Sequence, residues 1–155
     1  VLELLRSCHE FNHRLGIPSA AQAAAPLAPA LAALRRIVRP GSLVIAISDF
    51  SGWDAASSRE LHLLARHAES CAIHVYDVLE HELPPVGTAP ASDGLRRVVI
   101  DTDDERTRQD HTARFERSTG EAARAFARLG AAFIALPTDQ AAAATLANAL
   151  RGTAR

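Results

Sequence analysis

The segment Ile47-Ser48-Asp49-Phe50-Ser51-Gly52-Trp53-Asp54 sets a carboxylate at the mouth of an apolar run and follows it with hydroxyls and a glycine. An oxygen-rich mouth of this kind suits a hard cation. Mg²⁺ takes one or two carboxylates together with hydroxyl and water oxygens in an octahedral array, and such ligands usually come from separate loops. Asp49 is the candidate metal ligand, and Ser48, Ser51 and Asp77 are the candidate metal-adjacent or partner-facing residues. Asp49 could equally end its strand or cap the next helix, as Asp side chains commonly do.

Two other strings carry chemical meaning. Asp101-Thr102-Asp103 follows a short strand signal and resembles the aspartate-x-aspartate nucleophile motif of haloacid-dehalogenase-type phosphotransferases. That motif wants a threonine or valine where Glu105 stands, and Asp103 or Asp104 is needed to cap the helix that follows. His9-Glu10-Phe11-Asn12-His13 matches the zinc-peptidase string letter for letter. A zincin also needs a third ligand and a cleft in a large surrounding domain, and neither is evident, so a solvent-facing helix is the favoured reading. GxSxG, GxxxxGK and GxGxxG do not occur, which removes the best support for nucleophile-elbow, P-loop and dinucleotide-binding readings.

The elements that must position these residues follow from apolar periodicity. Val1, Leu4, Leu5, Cys8, Phe11 and Leu15 fall at helical spacing and are stopped by Gly16 and Pro18. After an Ala-rich link over 19–25, Leu27, Leu31, Leu34 and Val38 predict a second helix in which Pro26 and Pro29 are tolerable only near the start. Leu43 to Ile47 is a β-branched apolar run expected of a strand covered on both faces of a parallel sheet. Ser57 or Ser58 can cap a helix carrying Leu61 and Leu64, and Cys71 to Tyr76 predicts a second buried strand. Residues 82–95 are dense in turn formers and predict a surface excursion or hairpin, with a short strand at Arg97 to Ile100. A long helix through Phe115, Ala122, Phe126 and Leu129 closes at Gly130, Ala131 to Leu136 is a last strand, and Thr138 is expected to cap a terminal Ala-rich helix. The pattern defines an α/β fold, an open and mostly parallel Rossmann-like sheet flanked by helices, with ligand sites beyond the carboxyl ends of the strands. Asp49, Asp77, Thr138 and Asp139 occupy such ends.

Composition bounds the remaining classes. The chain has 155 residues, 48% of them apolar, and a net charge of −1, which suits one domain with a core of its own and lacks the basic field that non-specific nucleic-acid binding requires, so no nucleic-acid partner is expected. Its 17 basic residues are all Arg and Met is absent. Without an initiator residue, and opening on Val1-Leu2-Glu3, the chain reads as a fragment. Cys8 and Cys71 have no CxxC spacing and suit buried free thiols. The longest apolar run is far short of the roughly 18 residues of a membrane span, and no signal peptide is visible, so a cytoplasmic location is expected.

Arg39-Pro40-Gly41-Ser42-Leu43-Val44-Ile45-Ala46-Ile47-Ser48-Asp49-Phe50, Ala65-Arg66-His67 and Tyr76-Asp77-Val78-Leu79-Glu80-His81-Glu82-Leu83-Pro84-Pro85-Val86-Gly87 are the next clue, joined by Val99-Ile100-Asp101-Thr102 and Leu136-Pro137-Thr138-Asp139. Together they resemble the C-terminal half of the domain of unknown function 58 family over roughly residues 30–151. The resemblance implies a von Willebrand factor A-like fold, truncated here, whose upper edge can carry a metal-ion-dependent adhesion site, and a MoxR-like AAA+ ATPase as partner. Asp49 matches the late aspartate of that site. The Asp-x-Ser-x-Ser string that supplies its main ligands does not occur in this chain, so Mg²⁺ is expected of the intact parent domain and not of this segment alone. A strand at 43–47 without its neighbour would expose a hydrophobic edge, to be covered by a second copy or by the two N-terminal helices. The resulting expectation is a non-enzymatic protein-interaction domain; the alternative is a small Mg²⁺-dependent phosphoester hydrolase using Asp49 or Asp101.

Overall fold

The computed structural model describes residues 2–13, 26–92 and 97–153. Helix α1 spans Leu2–His13 and α2 spans Ala28–Ile37. Pro29 sits in the first turn of α2, where its missing N–H is not needed, as the sequence requires. Gly41, at φ +81°, turns the chain into β1, Ser42–Ser48. Then follow α3 (Ala55–Leu64), β2 (Ala68–Tyr76) and the single turn α4 (Val78–His81). Strands β3 (Thr88–Ser92) and β4 (Arg97–Asp101) precede the long α5 (Glu105–Arg128), β5 (Ala132–Pro137) and α6 (Ala142–Thr153).

The sheet is parallel, in the order β1-β2-β5, with Ser42 opposite Ala68 and Ser48 opposite His74 in the first ladder. In the second, Cys71 lies opposite Ala132 and Tyr76 opposite Pro137. The open α/β expectation therefore holds. The excursion over 82–95 is the start of an antiparallel hairpin, β3 on β4, with Pro90 opposite Val99. A proline is tolerated there because a two-stranded ribbon has only edges.

The main core lies on one face of the sheet. Val44 and Ala72 on the strands meet Leu31 of α2, Leu61 and Leu64 of α3, and Ala122 and Phe126 of α5. Alternation sends Ile73, Ile134 and Leu136 to the opposite face, where α6 packs against β5.

Three sequence expectations are corrected. Strand β1 is covered on one face only: Leu43, Ile45 and Ile47 remain 60%, 51% and 67% exposed, because α2 lies on the Val44 side and α6 covers β5. The cap of α3 is Asp54, not Ser57 or Ser58; its Oδ1 accepts the Ser57 amide and the Ser57 hydroxyl at 2.6 Å each, which buries Ser57 in the first turn. Thr138 does not cap α6, which starts four residues later at Ala142. Instead its amide donates to the Tyr76 carbonyl at 2.9 Å, extending the β2–β5 ladder past the sheet proper. For α5 the two candidate caps resolve to Asp104, which accepts the Arg106 amide at 3.1 Å and the Thr107 hydroxyl at 2.9 Å. Hydrogen bonds from the Thr107 hydroxyl and the Arg106 amide hold its carboxyl below the usual range.

Candidate functional site

Because β1, β2 and β5 are neighbours running the same way, Asp49, Asp77 and Thr138 all emerge on the carboxyl edge of one sheet, in that order. The turn after β1 is built by its own short polar side chains. Ser48 Oγ accepts the Phe50 amide at 3.0 Å, and Asp49 Oδ1 accepts the Ser51 amide at 3.2 Å and the Ser48 hydroxyl at 3.3 Å. Asp49 Oδ2 accepts the Ser51 hydroxyl at 2.8 Å. These bonds hold Phe50 at φ +55°, a left-handed conformation that costs a bulky residue energy and persists only where the surroundings dictate it.

The surroundings do so through the Phe50 ring, which is 1% exposed and lies 5.3 Å from Phe133, 5.9 Å from Trp53 and 6.0 Å from Phe126, centroid to centroid. One residue is pulled inward and its neighbours, Asp49 and Ser51, are left exposed at the sheet edge. Trp53 is fixed in turn by its indole N–H, which donates to Ser58 Oγ at 3.0 Å.

His74 underlies this turn. It is 3% exposed and surrounded by the rings of Phe50, Tyr76, Phe115 and Phe133 at 4.9–6.0 Å. Its Nε2 is buried without a hydrogen-bond partner. Burial pushes the imidazole below its ordinary pKa, while the carboxylate and main chain of Asp49 oppose that shift. The sequence assigns His74 no role beyond its place in the strand at Cys71 to Tyr76. Its signal was a basic residue inside the apolar run Cys71 to Tyr76.

Asp77 is mostly engaged in structure. Its Oδ1 accepts the Leu79 amide at 2.8 Å, its own amide donates to Glu80 Oε1 at 3.3 Å, and Oδ2 accepts the Thr138 hydroxyl at 3.3 Å. Asp101 and Asp103 lie at the end of the hairpin, off the parallel sheet. Asp101 Oδ1 accepts the Asp103 amide at 3.0 Å, and Asp103 Oδ1 accepts the Gly87 amide at 3.1 Å, so both close turns. His9 and His13 both belong to α1, but the side chain of His13 lies outside the described residues, as do the link over 19–25 and the hairpin tip at 93–96.

Among the described residues no three His, Cys, Asp or Glu side chains form a group able to hold a metal ion. Asp49 offers one carboxylate, with both oxygens already accepting bonds from Ser48 and Ser51. These residues by themselves do not fit a Mg²⁺ octahedron, which needs further oxygen ligands.

The family model described as "Protein of unknown function DUF58" matches residues 3–121, well over half of the chain. The chain belongs to the DUF58 family. No curated protein and no solved structure matches it. The matched region of this DUF58 chain contains the Asp49 turn, Asp77 and the whole hairpin, and ends within α5, before β5 and Thr138. No helix among the described residues is long and apolar enough to cross a membrane.

Proposed function

We propose that this chain is a non-enzymatic protein-interaction domain that meets its partner, a MoxR-like AAA+ ATPase, through the carboxyl edge of its sheet around Asp49. The observation that carries this reading is the strained Phe50 turn. A buried aromatic anchor holds a carboxylate and two hydroxyls rigidly at an exposed edge, and rigid presentation lowers the ordering cost of binding. Backbone strain held by a core is characteristic of functional turns.

The reading includes a von Willebrand factor A-like arrangement in which Asp49 is one ligand of a split metal-ion-dependent adhesion site. Mg²⁺ would then require oxygens from outside the described residues, and direct contact of Asp49 with the partner requires none. Binding of the chain to a purified MoxR-like ATPase, measured by calorimetry with and without Mg²⁺, tests both versions. Asp49→Asn should abolish binding while leaving the fold intact. Unchanged binding by that variant would sink the proposal, and dependence on Mg²⁺ would separate bridged from direct contact. The alternative, a Mg²⁺-dependent phosphoester hydrolase using Asp49 or Asp101, predicts turnover that Asp→Asn at one of those positions abolishes.

A further inference from the structure

His74 lies in the middle strand of the sheet, with β1 on one side, β5 on the other and α5 packed across it. In the first ladder it stands opposite Ser48, the last residue before the Asp49 turn. Its ring runs nearly parallel to those of Tyr76 at 4.9 Å and Phe115 at 5.6 Å, and the rings of Phe50 and Phe133 meet it at 6.0 and 5.6 Å. For packing alone a phenylalanine would serve in such a box, and the same core already holds one at 50, 126 and 133. A histidine instead leaves Nε2 buried without a partner, a cost that no contact of that nitrogen returns.

The other ring nitrogen supplies a reason for the histidine. The main chain of Asp49 makes a hydrogen bond with the imidazole that favours its protonated form, so the ring donates and the Asp49 carbonyl accepts. Nε2 takes no part in that bond, which leaves Nδ1 as the donor. A neutral imidazole has one N–H, and here it is spent on the backbone of the turn that shows its carboxylate to solvent.

We infer that His74 is the positioning residue of the Asp49 turn: it carries its one proton on Nδ1 and, through the Asp49 carbonyl, fixes the direction in which the Asp49 carboxylate meets a partner. This deepens the interaction reading above and rests on it. Phe50 holds the turn by packing, and the side chains of Ser48 and Asp49 hold it by bonds within the turn. His74 adds a tie from the Asp49 carbonyl to the central strand, so the turn is fixed to the sheet as well as to itself.

Nitrogen-15 NMR of the full chain at neutral pH should show one tautomer, with the proton on Nδ1 and a bare Nε2. Two replacements then separate positioning from packing. His74→Phe fills the ring box and removes the orphan nitrogen, but it has no donor for the Asp49 carbonyl. His74→Asn sets an amide N–H where Nδ1 stands and leaves a void. The phenylalanine variant should keep or raise the urea midpoint of the parent and speed hydrogen exchange at the Phe50 and Ser51 amides. It should also weaken binding to the MoxR-like ATPase about fivefold, the scale of one lost hydrogen bond. The asparagine variant should lower the midpoint yet bind within about twofold of the parent. A histidine that served packing alone would make binding follow stability in both. If the asparagine variant does not fold, the tautomer and the His74→Phe measurements decide. Asp49→Asn is the control: should it bind as the parent does, the interaction reading fails and takes the partner clause of this inference with it. Should Asp49→Asn fail to bind while His74→Phe binds like the parent, this inference alone is overturned. A ring protonated on Nε2, or turn amides that exchange at the parent rate in His74→Phe, overturns it as well.

Discussion

The rings of Phe50 and Phe133 meet in the core 5.3 Å apart and tilted by 45°, although the Phe50 backbone is left-handed, at φ +55°. The ring contact and the Ser48 and Asp49 hydrogen bonds together keep the turn in this conformation. Removing the ring by Phe50→Ala should therefore cost both core packing and turn geometry. We expect a loss of about 3–5 kcal/mol, the usual range for a buried phenylalanine, read from urea unfolding. Phe50→Leu should cost clearly less. Equal stability of Phe50→Ala and the parent would show that the ring does not hold the turn.

His74 makes stability depend on pH in a definable window. Burial depresses its folded pKa, so the folded state holds it neutral while the unfolded chain protonates it below about 6.5. The unfolded state then binds more protons, and stability falls as pH drops from about 6.5 toward the lower folded value, by at most about 1.4 kcal/mol per pH unit for one group. Asp54 and Asp104 act in a different window. Their carboxyls are held low, by the Ser57 hydroxyl and amide and by the Thr107 hydroxyl and Arg106 amide, so their contribution is present at neutral pH and is lost only below about 4. Replacing His74 by Phe removes the unpartnered Nε2 and should flatten the urea midpoint between pH 7 and 5 relative to the parent. A parallel decline in both proteins would refute the assignment.

Much of this architecture was legible because the apolar runs are unambiguous. Leu43 to Ile47, Cys71 to Tyr76 and Ala131 to Leu136 became the three parallel strands, and Asp49 stands at the mouth where the sequence placed it. The resemblance placed the strand at 43–47 at a border, where β1 stands among the described strands; what could not be read was that one of its faces would go uncovered. A β-branched apolar run looks the same with helices on one face or on both, so the exposure of Leu43, Ile45 and Ile47 follows from where α2 and α6 pack. Capping failed for a related reason. Asp54, Ser57 and Ser58 all suit an N-cap, and only the closure of the Ser57 amide on Asp54 chooses between them. Nothing in Ser48-Asp49-Phe50 announces a left-handed phenylalanine, since that conformation is imposed by contacts from Trp53, Phe126 and Phe133, remote along the chain or in the next turn.

Thr102 closes the base of the β3–β4 hairpin, one rung beyond the Thr88–Asp101 pair. It is buried, its hydroxyl donates to the Gly87 carbonyl at 2.7 Å and accepts the Val86 amide at 3.0 Å, and its own amide bonds Gly87 at 2.8 Å. Thr102→Val keeps the shape and the main-chain bond to the Gly87 carbonyl but orphans the Val86 amide, which should cost about 1–3 kcal/mol. A two-stranded ribbon has little stability of its own. Hydrogen exchange in 88–92 and 97–101 should therefore rise more than in β2. Uniform acceleration across the chain would mean that the hairpin is not a separately opening unit.

Asp49→Asn separates the structural and recognition roles of the carboxylate. An asparagine Oδ1 can still accept the Ser51 amide and the Ser48 hydroxyl, so the Asx-type turn, and with it the position of Phe50, should survive. The lost property is charge at an exposed edge, where a single substitution away from the core usually changes stability by no more than about 0.5 kcal/mol. His74 would register the change independently. Because the Asp49 carboxylate works against the burial that lowers its pKa, neutralising it should move the imidazole titration, followed by NMR, further down. A variant that loses partner binding, keeps its urea midpoint and shows this downward movement would mark Asp49 as a contact group. Loss of binding together with a collapsed midpoint would show that the carboxylate is needed for the turn itself.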